Sequence, residues 1–275
     1  MALALTALAV ATLTRIAANG LALVLESRTL HDQLQDEWAV LSCRQALLDN
    51  AEQLMADSDT VSAELGWPHP SERAASFQMG GITYQAVLFD EQAKLNLNLA
   101  YELEPSLIAS LLAEAQQDFS VPLQRGAILP PLKVDGAERE YRSWGELIDL
   151  PRLARGERAG ERLVGFAGRF TVSDDKRLNV RRASDTVLRG TAGLFLSTAE
   201  AEELVERRRG HNGELRGWLD STDIPSRRLL KLRRYLTDRS AAYSLWIWNT
   251  TDQEVTMASA GLSRGRRHPQ VLKWP

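Results

Sequence analysis

The sequence predicts an α+β chain in which a long N-terminal helix packs on an antiparallel sheet and a large block of helices is inserted between the sheet's early and late strands. Three observations carry this. Apolar residues recur at helical spacing over roughly the first 57 residues; stretches near 77–88 and 243–274 alternate with period two; and the sequence between them is a succession of helix starts and short loops. The expected organisation is a stem helix at 1–57, sheet-forming segments at 58–98 and 240–275, and an inserted helical domain at 99–239.

Composition sets outer limits. With 275 residues, 44% hydrophobic and 25% charged, the chain is long enough to bury a sizeable core and is neither disordered nor a multi-span membrane protein. A net charge of −3 argues against a globally basic nucleic-acid binder, and a single cysteine, Cys43, excludes an internal disulfide and any cysteine-rich zinc site.

The stem comes first. Residues 1–14 contain only Met, Ala, Leu, Val and Thr, and a second apolar stretch, 20–25, comes after Arg15 and Asn19. A spanning helix takes about 20 apolar residues, and an Arg near its middle costs about 3 kcal/mol on insertion scales, so the segment is membrane-seeking but interrupted. A cleaved signal peptide fits less well, because no basic residue precedes the apolar run. The helical pattern continues through Leu30, Leu34, Trp38, Leu41, Leu48 and Met55, and the helix is expected to end near Asp57-Ser58-Asp59. Cys43 lies inside this helix and reads as packing rather than as a nucleophile.

After Gly66-Trp67-Pro68-His69-Pro70 the period changes. Phe77 and Met79, then Ile82, Tyr84, Ala86 and Leu88, alternate around Gly80-Gly81, which predicts a hairpin. The second strand runs into Asp90-Glu91 and Lys94-Leu95-Asn96-Leu97-Asn98, whose alternation sends the leucines to one face and the amides to the other. A similar passage returns at 170–180 and ends in Leu178-Asn179-Val180; Asn96, Asn98 and Asn179 are read as structural corners, since an Asn side chain bonds nearby backbone. The acidic pairs Asp90-Glu91 and Asp174-Asp175 are expected to be solvated or to cap turns.

The middle is α. Pro105-Ser106 opens a helix over 107–117; Ser143-Trp144-Gly145-Glu146 and Ser197-Thr198-Ala199-Glu200 have capping-box spacing; Ile224-Pro225 opens the basic stretch 226–236. From 242 onward Tyr243, Leu245 and Ile247 alternate with Ser244, Trp246 and Trp248, and further β signals occur at 255–257 and 271–274. These late strands are expected to share one sheet with the hairpin and to pack on the helix containing Trp38, Leu41 and Leu48.

No catalytic signature is present: the chain lacks a phosphate-wrapping GxxxxGK[ST] loop, a GxGxxG turn, an HExxH helix and a GxSxG elbow, and the expectation is a chain that is not an enzyme.

In its order of elements and in Asp90-Glu91 through Lys94-Leu95-Asn96-Leu97-Asn98, close to D-E-x-x-K-x-N-x-N, the chain resembles the protein K family of the type II (general) secretion pathway, the large minor pseudopilins. Ser143-Trp144-Gly145-Glu146-Leu147, the second corner at Arg177-Leu178-Asn179-Val180 and a C-terminal Trp add to the likeness. The resemblance implies a pilin-like α/β domain with a helical insertion, anchored in the inner membrane by its N-terminal helix with the globular part in the periplasm. It implies a place at the tip of a short pseudopilus, where the chain initiates assembly with other minor pseudopilins and supports export, with secreted proteins as further partners. On that reading Leu30, Leu34, Trp38 and Leu41 form the partner-binding face of the stem.

The family's short leader leads to the expectation of an upstream in-frame start. At the second corner Arg181 stands where the family often has another Asn. No cofactor is expected; calcium is bound by some members, but no ligand set matches here residue by residue. The rival reading is a helix-hairpin-helix nucleic-acid module at 147–162 and 194–210, with Arg207-Arg208-Arg209, Arg227-Arg228, Lys231 and Arg233-Arg234 as its positive surface, although the connections lack the Gly-x-Gly turn that close phosphate approach needs. The preferred reading includes no nucleic acid.

Overall fold

The computed structural model describes residues 2–62, 66–128, 130, 139–209, 211–249, 255–263, 266–267 and 270–274, with side chains described for 13–57, 66–128, 130, 139–209 and 211–249. The chain starts with α1 (Ala2–Cys43), a π turn (Arg44–Leu48) and α2 (Ala51–Ser62), so the stem runs a few residues further than its Asp-Ser-Asp signal suggested. The hairpin β1 (Glu72–Met79) and β2 (Ile82–Asp90) comes next. Its two-residue turn holds Gly80 at φ 57° and Gly81 at φ 87°, the left-handed pair that matches the twist of the flanking strands.

The insertion comprises β3 (Leu95–Asn96), α3 (Leu97–Leu103), α4 (Pro105–Phe119), α5 (Leu150–Ala154), α6 (Ala159–Arg169), β4 (Phe170–Thr171), β5 (Leu178–Asn179), α7 (Asp185–Gly193), α8 (Thr198–Arg208), α9 (Leu215–Asp220), α10 (Ser226–Arg233) and β6 (Leu236–Thr237). The chain then returns as β7 (Ala242–Asn249), β8 (Val255–Ser263), β9 (Arg266–Arg267) and β10 (Gln270–Trp274). The early hairpin and the late strands form one antiparallel sheet in the order β1-β2-β7-β8-β10, with β9 on β8. The fold is therefore α+β, with the helices entering and leaving between two neighbouring strands, β2 and β7.

The sheet is the middle of three layers. Because successive side chains point to opposite faces, β2 and β7 each serve two cores. Tyr84, Ala86, Leu88, Leu245 and Ile247 face the stem and bury Ala39, Cys43, Leu48, Ala51 and Met55. Phe89 and Trp246 face the insertion and join its larger core, where Trp144 lies 6.3 Å from Trp246 and 5.6 Å edge-on from Phe166.

The stem's sheet-facing side differs from the expectation. Leu48 packs on the sheet, but Trp38 and Leu41 do not: they are 61% and 51% exposed. The cause is the π turn, in which the Asp49 amide reaches back to the Arg44 carbonyl at 3.1 Å. The additional residue in that turn rotates the helix on its C-terminal side, so Ala39, Cys43, Leu48, Ala51 and Met55 share a face, while Trp38 and Leu41 fall on the other side.

The expected Leu/Asn strand is also shorter. Only Leu95-Asn96 is extended; Asn96 Oδ1 accepts the Leu99 amide at 2.9 Å and caps α3, which puts Leu97 and Asn98 in a helix. Both capping boxes form, at Ser143/Glu146 on a short 3₁₀ turn and at Ser197/Glu200 on α8.

Candidate functional site

Two features distinguish this chain from a plain three-layer domain: an uncovered stem and a buried polar knot.

The sheet covers the stem only from about Gln35 onward. There the Gln35 amide donates to the Met79 carbonyl at 2.7 Å and the Tyr84 hydroxyl donates to Asp36. Residues 13–34 are exposed throughout. At 1.5 Å per residue, the helix from Ala2 to Leu34 reaches about 50 Å beyond that point. Along it, Leu13, Ile16, Leu23, Leu30, Leu34 and Leu41 are spaced three, seven, seven, four and seven apart, the seam pattern of helices that pack together, and each is at least half exposed. Trp38 lies beside this seam, so the structure places Leu30, Leu34, Trp38 and Leu41 on open surface. Among the described residues, no helix is long and apolar enough to cross a membrane.

The knot sits where β2 enters the insertion. Asp90 is fully buried, and its carboxylate accepts from the Gln92 amide (2.9 Å), the Asn179 side chain (3.0 Å) and the Ser240 hydroxyl. Arg182 lies 3.8 Å from Asp90 and donates to the Met55 and Pro70 carbonyls, each at 2.6 Å. Burial pushes the Asp90 carboxyl above its ordinary range, against the pull of these hydrogen bonds and of the Arg182 charge. Next to it, Glu91 accepts from the Lys94 ammonium and from the hydroxyls of Thr171 and Ser244. Lys94 lies over the Phe89 ring at 4.3 Å; burial lowers its pKa and the Glu91 charge opposes that shift. Of the two expectations for Asp90-Glu91, solvated or capping a turn, the cap is found at Asp90, and the solvated alternative is corrected: both acids are buried with partners, because the insertion closes over them.

The asparagines extend the knot. Asn96 donates to the Ser173 carbonyl at 2.8 Å; Asn98 donates to the carbonyls of Tyr141 (3.0 Å) and Val172 (3.2 Å) and accepts the Tyr141 amide at 2.8 Å. Asn179 accepts the Arg181 amide at 3.0 Å. The two passages have the same build: Leu95-Asn96 pairs in parallel with Phe170-Thr171, and Leu178-Asn179 with Leu236-Thr237. Arg181 stacks on Trp67 at 5.4 Å, and its carbonyl accepts the His69 amide. Arg182, which joins the stem, the hairpin approach and the second corner, is the residue that sequence reasoning missed; its adjacency to the Asn179 corner was the available signal.

Chemically the knot is a clamp. Its acids are each engaged by donors and buried away from a substrate. Among the described residues, no group of three or more His, Cys, Asp or Glu side chains is placed to hold a metal ion.

The arginine run of the rival reading is engaged by acids of the same chain, and its middle member is taken into the fold. Arg208 is fully buried and donates to the carbonyls of Val180 and Ala183 and to Asp185; Arg209 pairs with Asp185 at 2.7 Å, and Arg207 with Asp223 at 3.4 Å. Arg207 and Arg209 nevertheless stay more than half exposed beside these acids, and the exposed side of α10 carries the other basic residues.

Among solved structures, the chain is similar to a chain in the crystal structure of the GspK-GspI-GspJ complex from the enterotoxigenic Escherichia coli Type 2 Secretion System. The TM-score is 0.47 and the identity 16%, with 90% of this chain and 97% of that chain covered. No family model and no curated protein matches the chain.

Proposed function

We propose that this chain is an assembly subunit of the minor-pseudopilin kind, acting at the tip of a type II secretion pseudopilus. The uncovered stem carries this reading: a helix reaching about 50 Å past its own sheet, with a heptad-like apolar seam, has a surface suited to neighbouring helices rather than to water. The D-E-x-x-K-x-N-x-N resemblance adds to it, and in this structure those residues clamp a stem-bearing sheet to a helical head. In the proposed role the N-terminal part of the stem lies in the inner membrane and the head stands in the periplasm. The head initiates assembly with other minor pseudopilins and supports export of secreted proteins. Such a role asks for no active site.

The test is the double substitution Leu30→Asp and Leu34→Asp. Both side chains are more than half exposed here, so the chain folds unchanged. In a packed seam, each charge would be desolvated at a cost of several kcal/mol, which removes most of a micromolar affinity worth about 8 kcal/mol. The expected result is loss of co-purification with the other minor pseudopilins and loss of secretion. Normal secretion in cells carrying only the double variant, or lacking the chain altogether, would remove the proposal.

A further inference from the structure

The far side of the sheet carries a second unused surface. β1 is an edge strand: among the described residues it pairs with β2 alone. The Asp90 amide donates to the Ser71 carbonyl at 2.9 Å, which fixes the parity of the ladder. Antiparallel partners exchange both backbone bonds at every second residue. Odd-numbered residues from Ser71 to Met79 therefore turn their backbone groups to β2, and Glu72, Ala74, Ser76 and Gln78 turn theirs outward. Residues 72–76 are all exposed. Sheets usually guard such an edge with lysine, proline or a bulge. From Ala74 to Gln78 there is neither charge nor proline, and the register runs unbroken.

A cavity of about 390 Å³ opens at the start of this edge, between β1, β2, α6 and α7. Glu72 stands on its lining together with the apolar side chains of Val87, Phe89, Val164 and Val187. The cavity lies at the lower end of the roughly 300–1,000 Å³ of ligand pockets and has room for an apolar side chain. Arg169, also on the lining, is matched by Glu114 (2.5 Å) and Asp118 (2.7 Å). Glu72 forms no ion pair among the described residues; its charge acts on the buried Lys94, and its exposed carboxylate stands at the rim of this site.

We propose that β1 takes up an extended segment of another protein as an added strand, which places an apolar side chain in this cavity and a basic side chain beside Glu72. Directly paired residues of neighbouring strands share a face. Glu72 and Ala74 oppose Phe89 and Val87, so the added residues opposite them lie on the insertion side, where the cavity opens. Backbone pairing supplies affinity, and the cavity and Glu72 supply selectivity. The surface is separate from the stem seam, and the proposal holds whether or not the stem is an assembly interface.

The probe is a fluorescein-labelled nonapeptide, Thr-Val-Thr-Leu-Thr-Arg-Thr-Val-Thr, titrated against the purified full chain by fluorescence polarisation. Saturable binding is expected. The variant carrying Ala74→Pro and Ser76→Pro loses two outward N–H groups while leaving the β1–β2 ladder intact, since proline is tolerated where an edge N–H faces solvent. It should bind at least tenfold more weakly with unchanged circular dichroism, and Glu72→Lys should weaken the Arg peptide more than its Arg-to-Thr analogue. Two N-methylated peptides give a readout that needs no variant to fold: methylation of alternate amides along one edge of the peptide should abolish binding, and methylation along the other should spare it. Absence of saturable binding, or equal binding of the two methylated peptides, overturns the proposal.

Discussion

Replacing Arg182 with Met tests whether the knot holds the three layers together. The substituted side chain keeps much of the apolar stem but is shorter and loses the guanidinium. Two carbonyls, Met55 and Pro70, then lose donors at 2.6 Å, and the buried Asp90 carboxylate loses its nearest cation. Removing one member of a buried charged pair costs about 3–5 kcal/mol, a large share of the roughly 5–15 kcal/mol that stabilises an ordinary domain. The pH dependence is specific. Burial already raises the Asp90 pKa above its ordinary value of 3.8, and loss of Arg182 raises it further. Between the unfolded and the raised folded pKa, the native state binds more protons than the unfolded one, so stability falls as pH rises through that window. The penalty of the ionised Asp90 is therefore relieved in acid, and the variant's deficit should shrink from the higher to the lower of two pH values that bracket the titration. Urea titration at the two pH values, monitored by circular dichroism, reads it. A deficit below about 1 kcal/mol, of the size typical of an exposed pair, or one that does not change with pH, would mean that Arg182 does not hold the layers together through Asp90.

Other outcomes rest on the same geometry. Asn98→Ala strips partners from the Tyr141 amide and carbonyl and the Val172 carbonyl, each worth about 1–3 kcal/mol when buried, so thermal unfolding should show a loss of about 3 kcal/mol or more. Trp38→Ala, at an exposed position, should change stability by less than about 0.5 kcal/mol while weakening association. Burial pushes the Cys43 thiol up to about 11 from an ordinary 9.0; alkylation near pH 8 should therefore be roughly a hundredfold slower in the folded chain than in urea, because only the thiolate reacts. Similar rates would mean that the stem does not rest on the sheet.

The parts of this fold that the sequence announces are those governed by local chemistry. Gly80-Gly81 between alternating strands specifies the hairpin, Ser143/Glu146 and Ser197/Glu200 form their capping boxes, and the alternation at 243–248 supplies both faces of β7. What sequence alone misjudges depends on tertiary partners. A regular helical period assigns Trp38 and Leu41 to the sheet side, whereas a single π turn, which no residue type enforces, selects Ala39 and Cys43. Two acids in sequence suggest solvent or a turn cap; Asp90 does cap, yet both acids also find Asn179, Ser240, Thr171 and Ser244 from distant segments. Arg208 looks like surface charge in a run of three and is instead a buried brace for the second corner.

Photo-cross-linking in cells tests whether the stem seam is an interface. A benzophenone amino acid placed at position 34 lies on the seam, and one at position 158, on an exposed turn of the head, provides the control. A seam that packs on another protein gives a discrete adduct from position 34, absent from position 158 and lost when Leu30 is replaced by Asp. No adduct from position 34, or the same adducts from both positions, would contradict it.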